Sequence, residues 1–427
     1  MRIVLVNRYF HPDESATSRM VSSLAFGLAE RGLAVEVLAS RQKHDEAAPG
    51  LRRHERLHGV RIHRLASTGF GRAGLAGRAA DYASFQAAAM LWCLAHLRRD
   101  DLVIACTDPP LLSVSMAAAI AIRGGRFVNW LHDVFPEVAT ELGVLRRDGY
   151  AARVARALRD WSLRRAAINL VPTASMAVDI RRVGRRPSAV LTIPYWSEDG
   201  IEPVSPGDNP LRTEWGLQDA FVVGYSGNFG RAHEFGTLID AATQLRDAGN
   251  IRFLLIGSGF GRARLEAEVR RRGLQNVVFR PLQPRERLAQ SLSAPDLHLI
   301  SLQPQLEPYV VPSKLYGIMA AGRPAIFIGA EGGEVATALR EHGCGETVTI
   351  GAGADLAGRI IALREDASRR MEMGAKARRA FEIRHRRDAA MERWIEILGA
   401  LANREGGLPQ LASGAPYSAT SGDASND

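Results

Sequence analysis

Short apolar runs alternate with helical patterns through the first half of the chain. The run Ile3 to Val6 leads into a helical pattern from about Ser15 to Arg31, which ends at Gly32. Five more short runs of apolar and β-branched residues follow along the chain: Ala34 to Ala39, Val60 to Leu65, Leu102 to Cys106, Phe127 to Trp130 and Ile168 to Val171. Such alternation is typical of a parallel sheet flanked by helices. The pattern therefore predicts an α/β domain over residues 1–195.

A stretch rich in proline, glycine and acidic residues, Pro194 to Pro210, interrupts this pattern. Its composition is typical of a linker between domains. After it the alternation resumes with five more predicted strands: Phe221 to Tyr225, Arg252 to Ile256, Val277 to Phe279, Leu297 to Ile300 and Ala325 to Ile328. We therefore predict a second α/β domain over residues 196–386 and a last helix over 387–404. The Gly, Ser, Ala and Asp content of residues 405–427 predicts a disordered tail.

The length and the cysteine content favour a two-domain protein of a reducing compartment. A chain of 427 residues is too long for one typical hydrophobic core. Its three cysteines are widely spaced in apolar stretches without a Cys-x-x-Cys pair, as expected of buried thiols. The longest apolar stretch, near Leu111 to Ile122, is shorter than the roughly 18 to 20 residues that span a bilayer. These features favour a cytoplasmic location over secretion or a membrane-spanning topology.

The positive charge is concentrated in one region. The chain has a formal net charge of +9, and residues 146–186 carry 11 arginines and three aspartates. Within this region Val154, Leu158 and Trp161 recur at helical spacing, which predicts a helix with an apolar stripe and a basic face. One interpretation is a helix that lies on anionic lipid headgroups. The other is a solvated helix that packs on its own domain.

The segment Val311 to Pro324 carries the clearest candidate for ligand binding. It reads V-P-S-K-L-Y-G-I-M-A-A-G-R-P and leads into the predicted strand Ala325 to Ile328. Ser313 is a favourable N-cap residue, and a helix N-terminus attracts anions. A diphosphate could therefore bind at this end while Lys314 adds a positive charge. The alternative is a capped amphipathic helix with a solvated lysine.

Four segments together resemble the retaining glycosyltransferases of family 4. They are Asn7 to Pro12 (N-R-Y-F-H-P), Trp130 to Glu137 (W-L-H-D-V-F-P-E), Gly224 to Asn228 (G-Y-S-G-N) and the Pro-Ser-Lys segment. The branch that they resemble is the fucosamine-transferase-like enzymes of bacterial surface polysaccharide assembly. The resemblance implies the α/β GT-B fold of two facing Rossmann-like domains with parallel sheets and a cleft between them. It also implies that the last helix packs back on the first domain and that transfer retains the anomeric configuration.

In doubly wound folds, ligands bind at the carboxyl ends of the strands. In the first domain this rule selects residues expected on the acceptor side: His11, Pro12, Ser15, Asp108 and Asp133. His132 follows the strand that ends at Trp130 and can donate a hydrogen bond to a sugar hydroxyl or a phosphate. The resemblance assigns His132 contact with the donor sugar. Asp133 either orients His132 or faces the acceptor.

In the second domain the segment Ser226 to His233 is the expected phosphate loop. Gly227 lets the backbone approach a ligand, and a helix predicted from about Glu234 presents its N-terminus to the diphosphate. Arg231 is the candidate charged clamp.

This chain departs from the family pattern in that loop and in the segment before Lys314. Many family members have an arginine and a lysine where this chain has Asn228 and His233, so the phosphate charge is expected on Arg231 and Lys314. Together with the histidine that contacts the donor sugar, these form the predicted catalytic set: His132, Arg231 and Lys314.

The Glu-x7-Glu pair of the family is also missing. It would fall on Tyr309 and Gly317, which leaves the ribose and donor-sugar contacts unassigned. Glu307 and Glu334 are candidates for those contacts. Glu334 could equally be a favourable first-turn charge on the helix that it begins.

Three further short segments complete the predicted donor side: Gly257 and Gly259 in a Gly-Ser-Gly turn, Arg280, Pro281 and Leu282 beside the base, and Pro312 and Ser313 before Lys314. The Gly-Ser-Gly turn either contacts the donor or only joins a strand tightly to a helix. Its spacing is not the full dinucleotide fingerprint, so it is weak evidence for NAD.

Several other site classes fail on inspection of the sequence. No two aspartates stand two apart, so the Asp-x-Asp metal signature of GT-A transferases is missing and a metal-independent site is implied. There is no GxxxxGK loop and no complete nucleophile elbow. His54, His58 and His63 lack matching carboxylates or cysteines, and we expect them to be solvated.

The sequence therefore predicts a retaining, metal-independent hexosyltransferase without a cofactor. It would move a hexose or an N-acetylated amino sugar from a nucleotide diphosphate sugar, UDP before GDP, to a polyprenyl-diphosphate-linked saccharide in O-antigen, capsule or exopolysaccharide synthesis. We expect it in the cytoplasm, peripheral on the inner face of the cytoplasmic membrane, without specific nucleic-acid binding. The alternatives are a GT-B nucleotide-sugar 2-epimerase and a non-catalytic, membrane-associated partner subunit.

Overall fold

A computed structural model describes residues 1–44, 50–71, 74–184, 187–197 and 200–403. The described residues form two compact units. Unit 1 comprises Met1–His132, Leu158–Ile193 and the chain from Glu392 on, and unit 2 comprises Asp133–Ala157 and Pro194–Met391. The predicted domain boundaries at residues 195 and 386 stay predictions, and the predicted tail 405–427 lies outside the described residues.

Unit 1 contains an eight-stranded sheet in the order β3-β4-β2-β1-β5-β6-β7-β8. Its strands are β1 (Arg2–Val6), β2 (Ala34–Ser40), β3 (His54–Leu57), β4 (Val60–Leu65), β5 (Leu102–Ala105), β6 (Arg126–Trp130), β7 (Ile168–Val171) and β8 (Val190–Thr192). All neighbours run parallel except β3, which pairs antiparallel with β4. The sequence did not predict β3 and β8, because both are short edge strands and β3 carries mostly charged residues.

Helices cover the sheet of unit 1 and bury its central strands. The first six helices of the chain are α1 (Ala16–Glu30), α2 (Leu75–His96), α3 (Leu112–Arg123), α4 (Glu137–Glu141), α5 (Tyr150–Arg165) and α6 (Ala174–Val183). One core layer packs Phe85 of α2 and Met116 of α3 against Val103 of β5. Strands covered on both faces are apolar throughout, which is why β1 and β5 are continuous apolar runs.

Unit 2 contains a six-stranded, fully parallel sheet in the order β11-β10-β9-β12-β13-β14. Its strands are β9 (Phe221–Ser226), β10 (Ile251–Ile256), β11 (Val277–Arg280), β12 (Leu297–Ser301), β13 (Ala325–Ile328) and β14 (Gly345–Val348). The helices after α6 are α7 (Pro210–Glu214), α8 (Gly236–Gln244), α9 (Arg262–Arg271), α10 (Leu288–Ser293), α11 (Lys314–Ala320), α12 (Glu334–Glu341), α13 (Gly353–Glu365), α14 (Ala367–Arg384) and α15 (Arg387–Ala402). The parallel α/β architecture predicted for both halves is thereby confirmed.

The last helix places a tryptophan in the core of unit 1. Trp394 of α15 is fully buried, and its ring meets that of Trp130 edge to face at 4.9 Å. None of the helices in the described residues combines the length and the apolar character needed to cross a bilayer.

The three cysteines are free and buried, as the sequence predicts. Burial raises the pKa of Cys93 and of Cys344 to about 12, so both thiols stay protonated at physiological pH. They serve as small core residues.

Candidate active site

The parallel sheet of unit 2 brings four loops to one edge. The carboxyl ends of β10, β9, β12 and β13 are neighbours, and each leads into a loop that contains predicted site residues. Gln303, in the loop after β12, ties two of these loops together. Its backbone N–H donates to Ala232 O at 2.9 Å, and its side-chain amide donates to Arg231 O at 2.9 Å.

Lys314 lies at this edge as the first residue of α11. The residue as a whole is half-buried, but its ammonium nitrogen is fully buried and has no hydrogen-bond partner among the described residues. The Nζ atom lies 3.7 Å from the centre of the Tyr225 ring. A Cβ atom added to Gly227 would lie 3.2 Å from Nζ. The amine therefore lies against an aromatic face and close to a glycine turn.

Burial sets the protonation of the groups around Lys314. Desolvation lowers the pKa of Lys314 to about 7. It also lowers the pKa of His233 to about 3 and that of His298 to about 4, so both imidazoles are neutral at physiological pH. His233 Nδ1 lies 2.5 Å from Ser301 O, and this nitrogen must donate because a carbonyl only accepts. His233 thus supplies no positive charge where many family members have a lysine.

Arg231 is the second cation of this edge. Its guanidinium group is exposed and lies 4.8 Å from the centre of the Phe260 ring, which is itself 80% exposed. No carboxylate of the described residues forms an ion pair with it. Arginine stays protonated at any physiological pH, so Arg231 adds a permanent charge beside the titratable charge of Lys314.

The helix after the phosphate loop differs from its prediction. It begins at Gly236 rather than Glu234, and Thr237 N donates to both oxygens of the Glu234 carboxylate at 3.2 Å. A carboxylate of the chain itself therefore occupies this helix end, where the positive end of the helix dipole favours it. A diphosphate at this N-terminus would compete with the Glu234 carboxylate, and its binding there stays a prediction.

The start of α11 also differs in detail from its prediction. Ser313 occupies the N-cap position, but its backbone is already helical and its hydroxyl makes no capping hydrogen bond. The backbone N–H of Leu315 bonds to the oxygen of buried Pro312 at 3.3 Å. This helix end is thus closed by a tight turn of the backbone.

The Gly-Ser-Gly turn interlocks with the phosphate loop. Phe229 N donates to Ser258 O at 2.8 Å. A Cβ atom on Gly257 would lie 1.9 Å from Gly227 O, and one on Gly259 would lie 2.1 Å from the side chain of Asn228. Only glycine fits such an approach, so the packing of one loop against the other explains both residues. This favours the tight-turn interpretation.

Glu307 and Glu334 lie together, beside the end of β13. The backbone N–H of Glu334 donates to the Glu307 carboxylate, which lies so close to Gly333 that a Cβ atom there would meet it at 2.4 Å. Desolvation and the charge of Glu334 raise the pKa of Glu307 to about 7. Tyr309, at one of the missing family positions, is buried and accepts a hydrogen bond from Val134 N at 3.1 Å.

Arg280, Pro281 and Leu282 lie at the end of β11, the outermost strand, which is two positions from β9 in the sheet. The Arg280 carbonyl accepts a hydrogen bond from Gly257 N of the Gly-Ser-Gly turn at 3.1 Å. Arg280 lies 5.9 Å from the ring centre of Trp215, and the two residues after it are exposed. These contacts neither place the three residues beside Lys314 nor separate them from its site.

In unit 1 the carboxyl ends of β1, β5 and β6 are likewise neighbours. His132 follows β6 and is buried, with its ring 4.3 Å from that of Trp130. Desolvation lowers the pKa of His132 to about 3, so it is a neutral imidazole with one N–H donor. Asp133, the next residue, already belongs to unit 2, where its backbone pairs with Val310.

The predicted acceptor residues belong to loops that are tied by internal hydrogen bonds. His11 N donates to Ser22 Oγ at 3.0 Å, in the loop that includes Pro12. The backbone N–H and the hydroxyl of Ser15 both donate to Asp13, whose carboxylate also accepts from His44 N. Asp108 O accepts from Arg8 N at 2.8 Å.

Of the three histidines expected to be solvated, His54 and His58 are exposed. His63 is half-buried instead, and its Nε2 lies 3.1 Å from the Glu36 carboxylate. Within the described part of the chain, no three His, Cys, Asp or Glu side chains gather as a metal site would require.

Sequence reasoning missed Tyr225, Phe260, Glu234 and Asp13. Tyr225 belongs to a strand that is buried on both faces, so nothing in its pattern distinguishes it from a core residue. An aromatic residue one place before the Ser-Gly turn was the only available signal.

Two family models match the chain. Residues 15–196 match the glycosyl transferase 4-like domain, and residues 209–380 match the glycosyl transferases group 1. The chain therefore contains one region similar to each of these two glycosyl transferase domains. The glycosyltransferase domains account for most of both units.

Two curated proteins are similar to this chain over part of their length. The protein named "Putative colanic acid biosynthesis glycosyl transferase WcaI" of Escherichia coli (strain K12) is 30% identical over 235 residues, which are 53% of this chain and 57% of that protein. The "Probable glycosyltransferase WbjE" of Pseudomonas aeruginosa is 29% identical over 258 residues, 58% of this chain and 62% of that protein. The match thus spans about three fifths of each relative.

Solved structures share the fold over nearly the whole chain. The sucrose-phosphate synthase of Thermosynechococcus elongatus has a TM-score of 0.77 at 17% identity, over 94% of this chain and 99% of that one. Anabaena Alr3699/HepE in complex with UDP-glucose has a TM-score of 0.71 at 20% identity, over 93% of this chain and 99% of that one. At these identities the likeness shows the fold alone.

Proposed function

We propose that this protein is a glycosyltransferase that uses a nucleotide diphosphate sugar as donor. The observation that carries the proposal is the buried amine of Lys314, which has no hydrogen-bond partner among the described residues and lies at the edge where parallel sheets bind ligands. A buried amine without a partner is unfavourable unless a ligand provides one. The exposed guanidinium of Arg231 supplies a second charge on a neighbouring loop.

The proposed transfer requires stabilisation of the developing negative charge and no covalent bond between the protein and the sugar. The bond from the anomeric carbon to the leaving diphosphate breaks, a bond to the acceptor oxygen forms on the same face, and the acceptor proton passes to a leaving phosphate oxygen. Negative charge grows on the diphosphate as its bond breaks, and Lys314 and Arg231 would stabilise that charge. His132 would donate its N–H to the donor sugar. No cofactor or metal takes part in this proposal.

The remaining donor contacts stay proposals of the same account. They involve Gly227, Asn228, His233, Gly257, Gly259, Arg280, Pro281, Leu282, Glu307, Pro312, Ser313 and Glu334. We propose UDP as the nucleotide ahead of GDP, because the similar fold of Alr3699/HepE was solved with UDP-glucose. The sugar would be a hexose or an N-acetylated amino sugar, transferred with retention as in the fucosamine-transferase-like branch.

The proposed acceptor is a lipid-linked saccharide in surface polysaccharide synthesis, with His11, Pro12, Ser15, Asp108 and Asp133 on its side. The name of the relative WcaI refers to colanic acid biosynthesis, which supports this class of product. Donor and acceptor chemistry would then take place at the inner face of the cytoplasmic membrane.

Helix α5 supports the membrane location. Tyr150, Val154 and Leu158 form a stripe along it and are 82%, 39% and 40% exposed, whereas Trp161 of the predicted stripe packs against the core of unit 1. Arg153 and Arg164 of the same helix are exposed as well. An exposed apolar stripe beside basic side chains suits an anionic lipid surface. The triple change Tyr150→Ser, Val154→Ser and Leu158→Ser should abolish co-sedimentation with anionic vesicles, and unchanged co-sedimentation would contradict this location.

The donor proposal is tested with a thermal-shift panel on wild type and Lys314→Ala. The panel contains UDP, GDP, ADP, NAD and their sugar conjugates. A ligand at 100 times its dissociation constant should stabilise the protein by about 2.7 kcal/mol. The proposal expects a shift with one nucleoside diphosphate that is lost in the variant. No shift with any nucleotide would favour a non-catalytic subunit, and conversion of a bound nucleotide sugar to its epimer without acceptor would favour a 2-epimerase.

A further inference from the structure

Tyr225 is held rigidly beneath the Lys314 amine. It is completely buried, and its hydroxyl donates to Asn228 O at 2.9 Å. Its ring meets those of Phe229 at 5.4 Å and Phe235 at 5.0 Å. The hydrogen bond fixes the Tyr225 hydroxyl, and the two neighbouring rings fix the plane of the Tyr225 ring. The aromatic face is therefore directed at Lys314 in one orientation.

The identity of the cation at position 314 is unusual for this chain. The whole sequence contains 52 arginines and only three lysines, Lys43, Lys314 and Lys376. Arginine cannot lose its proton and presents five N–H donors that need partners, whereas a buried lysine can shift its pKa and has a compact head group. A site that holds a cation against an aromatic ring, without a hydrogen-bond partner, is therefore better suited to lysine than to arginine.

We propose that Tyr225 is a positioning residue of the donor site, whose ring holds the Lys314 ammonium at the Gly227 turn and leaves its N–H donors free for the diphosphate. This inference rests on the proposed function. The face of an aromatic ring attracts a cation without accepting a conventional hydrogen bond, so it fixes the position of the amine and does not neutralise it.

Among the described residues, the titratable groups that interact with the Lys314 amine carry no negative charge. From β9 there is Tyr225, whose burial raises its pKa, from the loop after β9 there is neutral His233, and from β12 there is neutral His298. Helix α14 also packs against α11, but its Arg378 bonds to Ala320 O at the opposite end of that helix. The diphosphate would thus be the first anion that the Lys314 amine meets.

Two substitutions at one position separate the ring from the hydroxyl. Tyr225→Phe keeps the aromatic face and loses the hydrogen bond to Asn228, so it should bind a nucleoside diphosphate sugar within about twofold of wild type. Tyr225→Leu removes the face and should weaken binding about tenfold. In a Lys314→Ala background, Tyr225→Leu should cause no further loss, because the ring acts through the amine. Phe253→Leu, at a fully buried aromatic residue of β10 in the same core, is the matched control and should bind like wild type.

A ligand-free measurement decides the same point independently. With lysine labelled by ¹³C at Cε, the protein gives only three lysine signals, and each reports the pKa of its own amine. The proposal expects Lys314 to titrate near pH 7 in wild type and Tyr225→Phe, and at a lower pH in Tyr225→Leu, because the ring stabilises the charged form. An unchanged or higher pKa in Tyr225→Leu would overturn it.

The binding and titration measurements distinguish a failure of the proposed donor function from a failure of the positioning role of Tyr225. If wild type binds no nucleotide, the proposed donor function fails, while the titration still decides whether Tyr225 holds the ammonium. If wild type binds but Tyr225→Leu weakens binding equally with and without Lys314, the role of Tyr225 is structural and the positioning role fails.

Discussion

The carboxyl edges of the two sheets use their charges in opposite ways. In unit 1 the carboxylate of Asp13 is 5% exposed and is bonded to Ser15 and to the backbone of His44. The Arg8 guanidinium likewise lies 3.4 Å from buried Asp81. Arg8 also lies over the rings of Tyr9 and Tyr82, so aromatic contacts are common to both edges. In unit 2, Lys314 and Arg231 have such aromatic contacts but no carboxylate partner among the described residues.

The difference indicates which edge is prepared for an anion. A buried charge with its partners in place fixes a loop, whereas a buried amine without a partner costs stability and is retained where a ligand completes it. Unit 2 does not lack carboxylates, since Arg212 pairs with Asp296 at 3.1 Å and Arg359 pairs with Glu346 at 2.7 Å. Ion pairs thus form elsewhere in unit 2, whereas Lys314 and Arg231 have none among the described residues.

The largest effect should come from Lys314→Ala. Removing a donor that stabilises the leaving charge should lower kcat about 100-fold or more, measured as product formed from a nucleotide sugar and a lipid-linked acceptor. The melting temperature should not fall, because the change removes a desolvated amine. Lys376→Ala is the matched control, since that lysine is exposed and pairs with Glu372. Equal rates for Lys314→Ala and Lys376→Ala would contradict the role assigned to Lys314.

A pH series should show the titration of the same amine. Without ligand the pKa of Lys314 is about 7, and a bound diphosphate should raise it. Below pH 7 the amine is protonated in both states and affinity should be constant. Above pH 7 binding must take up a proton, so affinity should fall by up to about tenfold per pH unit.

The probe for this series should be a nucleotide sugar, because its diphosphate diester does not titrate in this range, whereas a terminal phosphate does. Calorimetry in two buffers of different ionisation enthalpy counts the protons directly. Binding at pH 8 without proton uptake would contradict the predicted titration.

Asp13→Ala should have the opposite effect in unit 1. It removes the hydrogen bonds that the buried Asp13 carboxylate accepts from Ser15 and from the part-buried N–H of His44, and should destabilise the protein by about 1–3 kcal/mol in urea unfolding. Nucleotide affinity should stay within about twofold of wild type. A large loss of nucleotide affinity with unchanged stability would contradict the proposed difference between the two sheet edges.

The smallest effect should come from Arg231→Ala. The guanidinium is exposed, so screening by water limits its contribution and affinity for the nucleotide should fall about three- to tenfold. The loss should shrink as salt is raised from 50 to 500 mM. Arg264→Ala, an exposed arginine of α9, should leave affinity unchanged. A loss that does not depend on salt would mean that Arg231 acts through structure.

The sequence could predict the two α/β halves because buried parallel strands such as β1 and β9 are continuous apolar runs. The same rule pointed to Gly227 and Lys314 at one edge. It could not predict that Glu234 caps α8. Capping depends on the exact first residue of the helix, and the prediction placed that residue only to within two positions. Nor could it predict Tyr225 beneath Lys314, because that contact joins a strand and a helix about 90 residues apart.

The most direct test of the account is an NMR titration of the three lysine signals with a nucleotide sugar. The account predicts that the Lys314 signal shifts on binding and that its pKa rises above 7, while Lys376 is unaffected. A nucleotide that binds without moving Lys314, or that moves Lys376 instead, would show that its diphosphate lies elsewhere.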